Sequence, residues 1–424
     1  MRLQDTLSSS LVELPSPPEP IGIYVCGPTV YQRAHIGNAR PFVVFMWLAR
    51  WLRARGHEVR LVHNITDVND RIYEAAPGRS AERALEATRW YLEDTADFGL
   101  GMPDAQPLAT ETMPEIIALI EELIASGHAY TADGDVYFRV ARFESYGALS
   151  GQRPDQVEEQ EPNPAKEDPR DFALWKATKE DEDTSWDSRW GLGRPGWHIE
   201  CSAMAAKELG PEFWIHGGGL DLVFPHHENE RAQSLSVGHP FARIWMHNGM
   251  LRFTGEKMSK SLGNVETIRE VLDTWGRETA LVFFLTAHWR KPIDFSEESM
   301  AAARAQAETL RNALRGEASG EGDWGAFVDA LEDDFNTPAA LAIMHDWARA
   351  GALAELRRGL DLFGLGSLGE RRDAPPEVRA LADARSAARA ARDFAEADRL
   401  RAEIAALGWD VRDADDGYEL VPRA

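Results

Sequence analysis

The chain has 424 residues, of which 44% are hydrophobic and two are cysteines, and its formal net charge is −24. This length allows several domains with buried cores, but no apolar window approaches the roughly 18 residues of a membrane helix. Such a negative charge excludes broad electrostatic binding of nucleic acid, which would need local basic patches, and two cysteines exclude a disulfide scaffold.

The first predicted elements describe a βαβ unit. Residues 21–27, IGIYVCG, predict a short buried strand, and residues 38–57 an amphipathic helix that ends at a glycine. Residues 58–67 predict a second strand. Strand, helix and strand within about 45 residues indicate a parallel sheet with a ligand crevice at its carboxyl edge. An insertion then interrupts the sheet, with a helix at 115–127 and a polar, proline-punctuated loop at 157–171.

The second half returns to the sheet and then becomes helical. Residues 213–218 and 243–249 predict strands that resume the parallel sheet. The sequence downstream is rich in Ala, Arg, Glu and Leu, with a glycine-rich break at 315–325. A proline-bearing linker at 370–378 precedes a long predicted helix, 378–407, and a small C-terminal tail.

The stretch AHIGNARP, residues 34–41, lies where a predicted parallel strand leads into a helix. Free backbone N–H groups and the helix dipole favour phosphate at such a position. Gly37 would let the backbone approach a nucleotide closely, and His35 could donate a hydrogen bond to phosphate oxygens. The alternative is a packed histidine before an ordinary helix.

The stretch GEKMSKSLGN, residues 255–264, places Lys257 and Lys260 three residues apart between glycines. An ordinary solvated loop is one interpretation. The other is a mobile loop whose two lysines neutralise triphosphate charge as it develops. Its position about 220 residues after HIGN, on the same sheet plan, strengthens the second interpretation.

The stretch FPHHENE, residues 224–230, packs two histidines and two glutamates behind a proline. If the proline starts a helix, His226 and Glu230 are four residues apart and share one face. They would present one nitrogen and one oxygen to a metal. The alternatives are an exposed i,i+4 pair and, within a metal site, His227 as the ligand.

The two cysteines, Cys26 and Cys201, both lie in motifs near the predicted sheet. With one imidazole and one carboxylate, two thiolates make a suitable four-coordinate zinc site. Each cysteine could instead be a small buried hydrophobic residue, the commoner role of a free cysteine.

Eight long motifs, in conserved order, resemble the class I aminoacyl-tRNA synthetases, and the cysteinyl-tRNA synthetase family in particular, over nearly the whole chain. These stretches are 24–31, 35–41, 64–70, 171–176, 193–204, 216–230, 257–264 and 333–338. The resemblance implies that the chain activates L-cysteine with ATP to cysteinyl-adenylate and transfers it to the 3′ end of tRNA(Cys).

The resemblance also implies roles for individual residues, with one zinc ion per chain and ATP bound with Mg²⁺. The implied zinc ligands are Cys26, Cys201, His226 and Glu230, where His226 completes the family's spacing. The implied catalytic residues are His35, Lys257 and Lys260, and these three would bind ATP together with Gly37 and Asn38. The residues implied for binding the substrate cysteine are Thr66, Trp197 and Asp221. Zinc would prefer the substrate's thiolate to the hydroxyl of serine. We expect a cytoplasmic monomer without membrane attachment.

The C-terminal stretch 391–417 is similar to the family's anticodon-recognition module. Arg399, Arg401 and Trp409 offer charge and a stacking surface there. The alternative is an ordinary amphipathic helix. Leu420 stands near the usual tryptophan of the family, and residues 386–424 hold six Arg against nine Asp and Glu.

The predicted fold is therefore α/β, a Rossmann-like parallel-sheet catalytic domain with an insertion, followed by helical parts. The predicted boundaries are 1–95 and 186–250 for the two halves of the catalytic domain, 96–185 for the connective insertion, 251–314 for the KMSKS loop and stem-contact region, 315–375 for a helical domain and 376–424 for the anticodon module.

Two other functions compete with this one. A cysteine ligase of mycothiol synthesis shares the adenylation domain but joins cysteine to an amino sugar. A non-catalytic paralogue would only bind tRNA or zinc. The stretches NITDVND and FPHHENE with the long helical C-terminus favour the synthetase over the first, and intact HIGN and KMSKS motifs argue against the second.

Overall fold

The structure is a computed structural model that describes residues 1–152, 161–180, 182–253, 266–370, 374–414 and 417–422. The described strands are β1 (Arg2–Asp5), β2 (Ser10–Glu13), β3 (Ile21–Val25), β4 (Val59–His63), β5 (Ala129–Ala132), β6 (Asp135–Phe138), β7 (Phe172–Ala177), β8 (Gly193–Pro195), β9 (Glu212–Gly219), β10 (Phe241–Asn248), β11 (Leu251–Phe253), β12 (Ile293–Phe295), β13 (Trp409–Ala414) and β14 (Gly417–Pro422).

The helices begin and end at similarly clear points along the chain. They are α1 (Ile36–Ala54), α2 (Asp70–Ala75), α3 (Ser80–Ala96), α4 (Met113–Ala125), α5 (Trp197–Leu209), α6 (Glu228–Ser236), α7 (Ile268–Trp275), α8 (Arg277–Leu285), α9 (Glu297–Ala313), α10 (Trp324–Glu332), α11 (Thr337–Ala350), α12 (Leu353–Leu362), α13 (Pro376–Ala390) and α14 (Phe394–Ala406). Among the described residues, no helix has the length and apolar character needed to cross a membrane.

The central sheet has the strand order β10–β9–β3–β4, and every neighbouring pair is parallel. From β3 the chain crosses through α1 to β4 on one side, and from β9 it crosses through α6 to β10 on the other. The strand order therefore reverses between β3 and β9. In an open parallel sheet, a ligand crevice forms at the carboxyl ends of the two strands that flank such a reversal. The predicted βαβ unit and the two later strands are confirmed.

Helix α1 lies between the sheet and the C-terminal helices. The prediction of an amphipathic helix is wrong, because its buried residues cover every side from Ile36 to Leu52. Its outer face packs on the downstream helical region, where the Trp47 indole donates to the Phe363 carbonyl at 3.0 Å. Residues of β3, α1 and α8 to α12 consequently share one hydrophobic core.

The insertion folds as α4 against a four-stranded antiparallel sheet of order β5–β6–β7–β8. The predicted helix at 115–127 is confirmed as α4, and the hairpin-like residues after it are β5 and β6. Strand β8 leads through Gly196 directly into α5. The insertion therefore returns the chain to the catalytic sheet at the helix that carries Cys201.

The C-terminal module corrects one prediction. The long helix predicted over 378–407 is two helices, α13 and α14, which end and begin on either side of Ala391–Asp393. Arg392 has φ of 59°, a left-handed conformation that an α-helix does not contain. The tail forms the antiparallel pair β13–β14, which closes a small core of its own.

The connection after β3 leaves no room for a side chain at its first glycine. A Cβ atom at Gly27 would lie 1.7 Å from the carbonyl oxygen of Asn64, whose side chain accepts the Gly27 N–H at 2.9 Å. We expect Gly27→Ala to lower the free energy of unfolding by about 1–3 kcal/mol, because backbone on both sides must shift. Urea unfolding followed by circular dichroism measures this.

Gly316→Ala is the matched control, since Gly316 lies in an exposed turn with its nearest heavy atom 3.2 Å from an added Cβ. Its unfolding midpoint should stay close to that of the unsubstituted chain. Equal midpoints for both variants would contradict the strain assigned to Gly27.

Candidate active site and metal centre

A cavity of about 340 Å³ opens at the carboxyl ends of β3 and β9. The connection from Cys26 to His35 forms one wall, and the first turn of α1 continues it. Trp197, at the start of α5, and Asp221, just after β9, form the opposite side. The cavity therefore occupies the crevice that the strand order predicts.

One end of the cavity lies at the start of α1. His35 is the extended residue before the helix, and His35, Gly37 and Asn38 all line the cavity. The first turn of α1 holds no acidic side chain, so the positive end of the helix dipole is not offset locally. A Cβ at Gly37 would lie 2.8 Å from the His35 ring, so glycine lets the imidazole fold back over the turn. This arrangement suits a bound phosphate.

Lys257 and Lys260 lie outside the described residues. The chain on either side of their segment is described. Phe253, before the segment, lines the cavity. Glu266, after it, accepts a hydrogen bond from the Ile36 backbone N–H at 3.0 Å. The backbone that follows the segment is thus held against the start of α1.

The four predicted metal ligands converge behind Trp197. The donor atoms of Cys26, Cys201, His226 and Glu230 all lie within 4.8 Å of one another, and all four side chains are buried. Glu230 Oε1 lies 3.3 Å from Cys26 Sγ and 3.2 Å from His226 Nε2. These residues could hold a metal ion.

A second donor set overlaps the first. Cys26 and Glu230 also form a group within 4.8 Å with His216 of β9 and with His227. Because the two sets share a thiol and a carboxylate, they describe alternative positions for one ion.

The imidazoles of the two sets have different surroundings. His227 Nδ1 lies 2.7 Å from His247 Nε2, and the residue is fully buried behind the cavity wall. His226 instead stacks on Trp197, which lines the cavity, with the ring centroids 4.2 Å apart. An ion held through His226 would therefore lie nearer the cavity than one held through His227.

Burial controls the protonation of these donors. Burial raises the pKa of the Cys26 thiol well above its ordinary value, and a hydrogen bond with Cys201 adds to the shift. Burial also raises the pKa of Cys201. It lowers the pKa of His226 and of His227 far below the usual value, and the neighbouring histidines add to this. Without a cation the thiols are thus protonated and the imidazoles neutral, which is the state from which a metal displaces protons.

Two of the three residues predicted for cysteine binding line the cavity, Trp197 and Asp221. Thr66 does not line it. It is 1% exposed, and its backbone exchanges hydrogen bonds with the connection after β3, from its N–H to Pro28 and from Val30 to its carbonyl, both at 3.1 Å. In this structure Thr66 braces the cavity wall from behind.

The three residues predicted for the anticodon do not form one surface. Trp409 is 8% exposed and belongs to the core of the C-terminal module. Arg399 is paired with Glu396 and Glu403 along α14. Arg401 is exposed. A stacking role for Trp409 would require the module to open.

Sequence reasoning missed several polar residues around the site. The FPHHENE pattern predicts no role for Glu228 and Asn229, yet both are buried and hydrogen-bonded to the insertion. Arg40 of the HIGNARP motif is 1% exposed and donates to the Gly249 carbonyl at 2.5 Å. A charged residue inside an apolar helix stretch was the available signal, because such a residue needs buried partners.

Models of three known protein families match successive parts of the chain. A family described as tRNA synthetases class I (C) catalytic domain matches residues 13–305, the DALR domain matches 326–353, and the cysteinyl-tRNA ligase anticodon binding domain matches 371–419.

Two solved structures share the fold. The methionyl-tRNA synthetase of Mycobacterium tuberculosis in complex with methionyl-adenylate aligns with a TM-score of 0.59 at 13% identity, over 82% of this chain and 88% of that chain. The LeuRS–tRNA–LeuAMS complex of Agrobacterium radiobacter K84 aligns with a TM-score of 0.60 at 12% identity, over 84% and 86%. The chain has the architecture of a class I aminoacyl-tRNA synthetase.

Similarity to curated relatives identifies the family within this class. The cysteine–tRNA ligase of Halorhodospira halophila is 46% identical over 437 residues, covering 95% of each chain. That of Jannaschia sp. is also 46% identical, covering 98% of this chain and 95% of the relative. The chain therefore belongs to the cysteine–tRNA ligase family, and it is an enzyme.

Arg40 generates a prediction about this site. Burial lowers its pKa to about 10, so it stays charged at neutral pH, and it also donates to the His288 carbonyl at 3.1 Å. A lysine cannot span both carbonyls, so we expect Arg40→Lys to cost about 1–3 kcal/mol of unfolding free energy, measured in urea.

The control is Arg252→Lys, because Arg252 forms an exposed pair with Asp294 at 2.9 Å. That variant should differ from the unsubstituted chain by no more than about 0.5 kcal/mol. If Arg40→Lys is equally stable, the two buried carbonyls do not depend on the guanidinium.

Proposed function

We propose that the chain activates L-cysteine with ATP to form cysteinyl-adenylate and then esterifies the 3′ end of tRNA(Cys). One observation carries this proposal. A buried cluster of two thiols, an imidazole and a carboxylate borders the same cavity as the helix start that carries HIGN. A sulfur-selecting end and a phosphate-binding end thus face one another across a space of small-molecule size.

The donor set fits a zinc ion held by Cys26, Cys201, His226 and Glu230. Two sulfurs, one imidazole nitrogen and one carboxylate oxygen are ligands that zinc takes in tetrahedral sites, and the buried cluster holds thiols that only a cation would keep ionised. When bound, Zn²⁺ supplies a preference for thiolate over hydroxyl, the difference between cysteine and serine. The stacking of His226 on Trp197, which lines the cavity, favours it over His227.

The chain's own side chains orient the substrate. Asp221 accepts hydrogen bonds from the α-ammonium, and Trp197 forms an apolar wall beside the side chain. The free carboxylate of cysteine is already ionised, so no strong base is needed. Its oxygen bonds to the α-phosphorus while the bond to the bridging oxygen breaks, and pyrophosphate leaves with that electron pair.

Charge on the phosphates is met by the start of α1 and by cationic side chains. His35, the Gly37 amide and the Asn38 side chain donate to phosphate oxygens. Lys257 and Lys260 neutralise the developing charge, and Mg²⁺ bound with ATP would offset further phosphate charge. In the second step a ribose hydroxyl of the tRNA attacks the carbonyl carbon, and AMP leaves. We propose a monomer that works in the cytoplasm.

The mycothiol-type ligase remains the second candidate because it needs the same adenylate. The match of residues 371–419 to a cysteinyl-tRNA ligase anticodon binding domain favours tRNA as the acceptor.

Two assays test the reaction. ATP–pyrophosphate exchange should depend on cysteine and should be roughly 10⁴-fold less efficient with serine. A tRNA(Cys) transcript should be charged. Exchange without charging would favour the amino-sugar ligase, and no exchange with cysteine would indicate the non-catalytic paralogue.

Alanine variants of the adjacent histidines test the metal. His226→Ala should lower the bound zinc, measured by elemental analysis, and should raise the activation of serine relative to cysteine. His227→Ala, the control, should retain zinc. Loss of zinc from His227→Ala, with zinc retained by His226→Ala, would assign the ion to the donor set with His216 and His227.

A further inference from the structure

A short segment of the insertion packs against the start of α6. Three donors of this segment converge on the buried Glu228 carboxylate: the Leu149 N–H at 3.1 Å, the Ser150 N–H at 2.8 Å and the Ser150 hydroxyl at 2.9 Å. Glu228 is 0% exposed, so these bonds replace water that the carboxylate has lost. We call residues 145–150 the bracing segment.

The bracing segment also holds the residues on either side of Glu228. The Tyr146 hydroxyl donates to Asn229 Oδ1 at 2.5 Å. The rings of Tyr146 and Phe224 pack edge to face, with their centroids 6.5 Å apart. Arg231 donates to the carbonyl and to the hydroxyl of Ser145, both at 3.2 Å. The segment therefore grips α6 and the turn before it at several points.

The same turn and helix carry two of the proposed metal ligands. His226 precedes α6 and Glu230 lies in its first turn. The turn Val223–His227 is irregular, since Phe224 has φ −137° and ψ 133° inside it. Such a turn has no continuous ladder of backbone hydrogen bonds to fix it, so neighbouring contacts must set its position.

We infer that the bracing segment positions the metal centre, with Tyr146 and Glu228 as positioning residues that act through α6. They hold the start of α6 so that His226 Nε2 and the Glu230 carboxylate face Cys26 and Cys201 at ligand distance. Contacts behind metal ligands commonly control metal affinity in this way. The insertion thereby sets how long the ion is retained and how well cysteine is chosen over serine. This inference rests on the proposed zinc site.

Tyr146→Phe is the decisive variant because it removes one hydroxyl and leaves the packing of the ring. Tyr137→Phe is its matched control. Tyr137 is also buried in the same insertion, and its hydroxyl donates to Asp135 at 2.6 Å and accepts from the Asn163 side chain at 2.7 Å. Neither partner belongs to α6.

The full chain, loaded with zinc, is mixed with a chromophoric chelator, and the release of zinc is followed with time. Tyr146→Phe should release the ion about tenfold faster than the unsubstituted chain, and Tyr137→Phe at the unsubstituted rate. After Co²⁺ substitution, the d–d absorption of Tyr146→Phe should shift, since the ligand geometry relaxes. Its ratio of kcat/KM for serine to that for cysteine should rise, while circular dichroism confirms an intact fold.

Ser150→Ala removes one of the three donors to Glu228 and should increase release in the same direction. If Tyr146→Phe and Ser150→Ala release zinc at the rate of the unsubstituted chain and their cobalt spectra are unchanged, the inference is overturned and the zinc proposal stays intact. Equal acceleration by Tyr137→Phe would also overturn it, because the effect would then be a general loosening of the insertion. If the unsubstituted chain retains no zinc, the proposed zinc site itself fails.

Discussion

The arrangement of the proposed metal site depends on the contacts of one buried carboxylate, that of Glu230. One oxygen faces Cys26 and His226, and the other accepts from His216 at 2.9 Å. A carboxylate at 0% exposure is costly unless donors or a cation surround it. These contacts join the end of β3, the middle of β9 and the start of α6. The parallel pairing of Val25 with Gly217 brings the first two into register.

The same connection then sets the distance across the cavity. Cys26 begins the connection from β3 to α1, and His35 ends it. This stretch has no regular structure, so hydrogen bonds with neighbouring chain fix it, to the Asn64 side chain near one end and to the Glu266 carbonyl just past the other. In the proposed mechanism, the separation of the substrate's sulfur from the α-phosphate of ATP would therefore be set by one short piece of chain. A shift at either end would misalign the two reactants, which is costly because the reaction relies on alignment.

The sequence predicts what local patterns determine. Buried runs and periodicity identify β3, β4 and the α/β plan, and the four-residue spacing in FPHHENE places His226 and Glu230 together. Prediction from sequence fails where contacts between distant parts of the chain determine the structure. Helix α1 is buried all round because the C-terminal helices cover it. No Gly or Pro marks the break at Ala391–Asp393. The contacts of Glu228 and Asn229 come from residues about 80 positions earlier, which no local pattern reveals.

The insertion is therefore part of the substrate site rather than an addition to the sheet. Strand β8 leads into α5, which carries Trp197 and Cys201, and the bracing segment holds the turn and helix that carry His226 and Glu230. Only Cys26 among the proposed ligands is positioned by the sheet alone. In the proposed function the start of α1 would hold the nucleotide, whereas α5 and α6, which the insertion contacts, would carry residues of the end that faces sulfur. The two hydrophobic cores lie on opposite faces of the same strands, since β3 gives Ile23 to the core of α1 and Tyr24 to the core of the insertion. The sheet therefore ties the two ends of the cavity to each other.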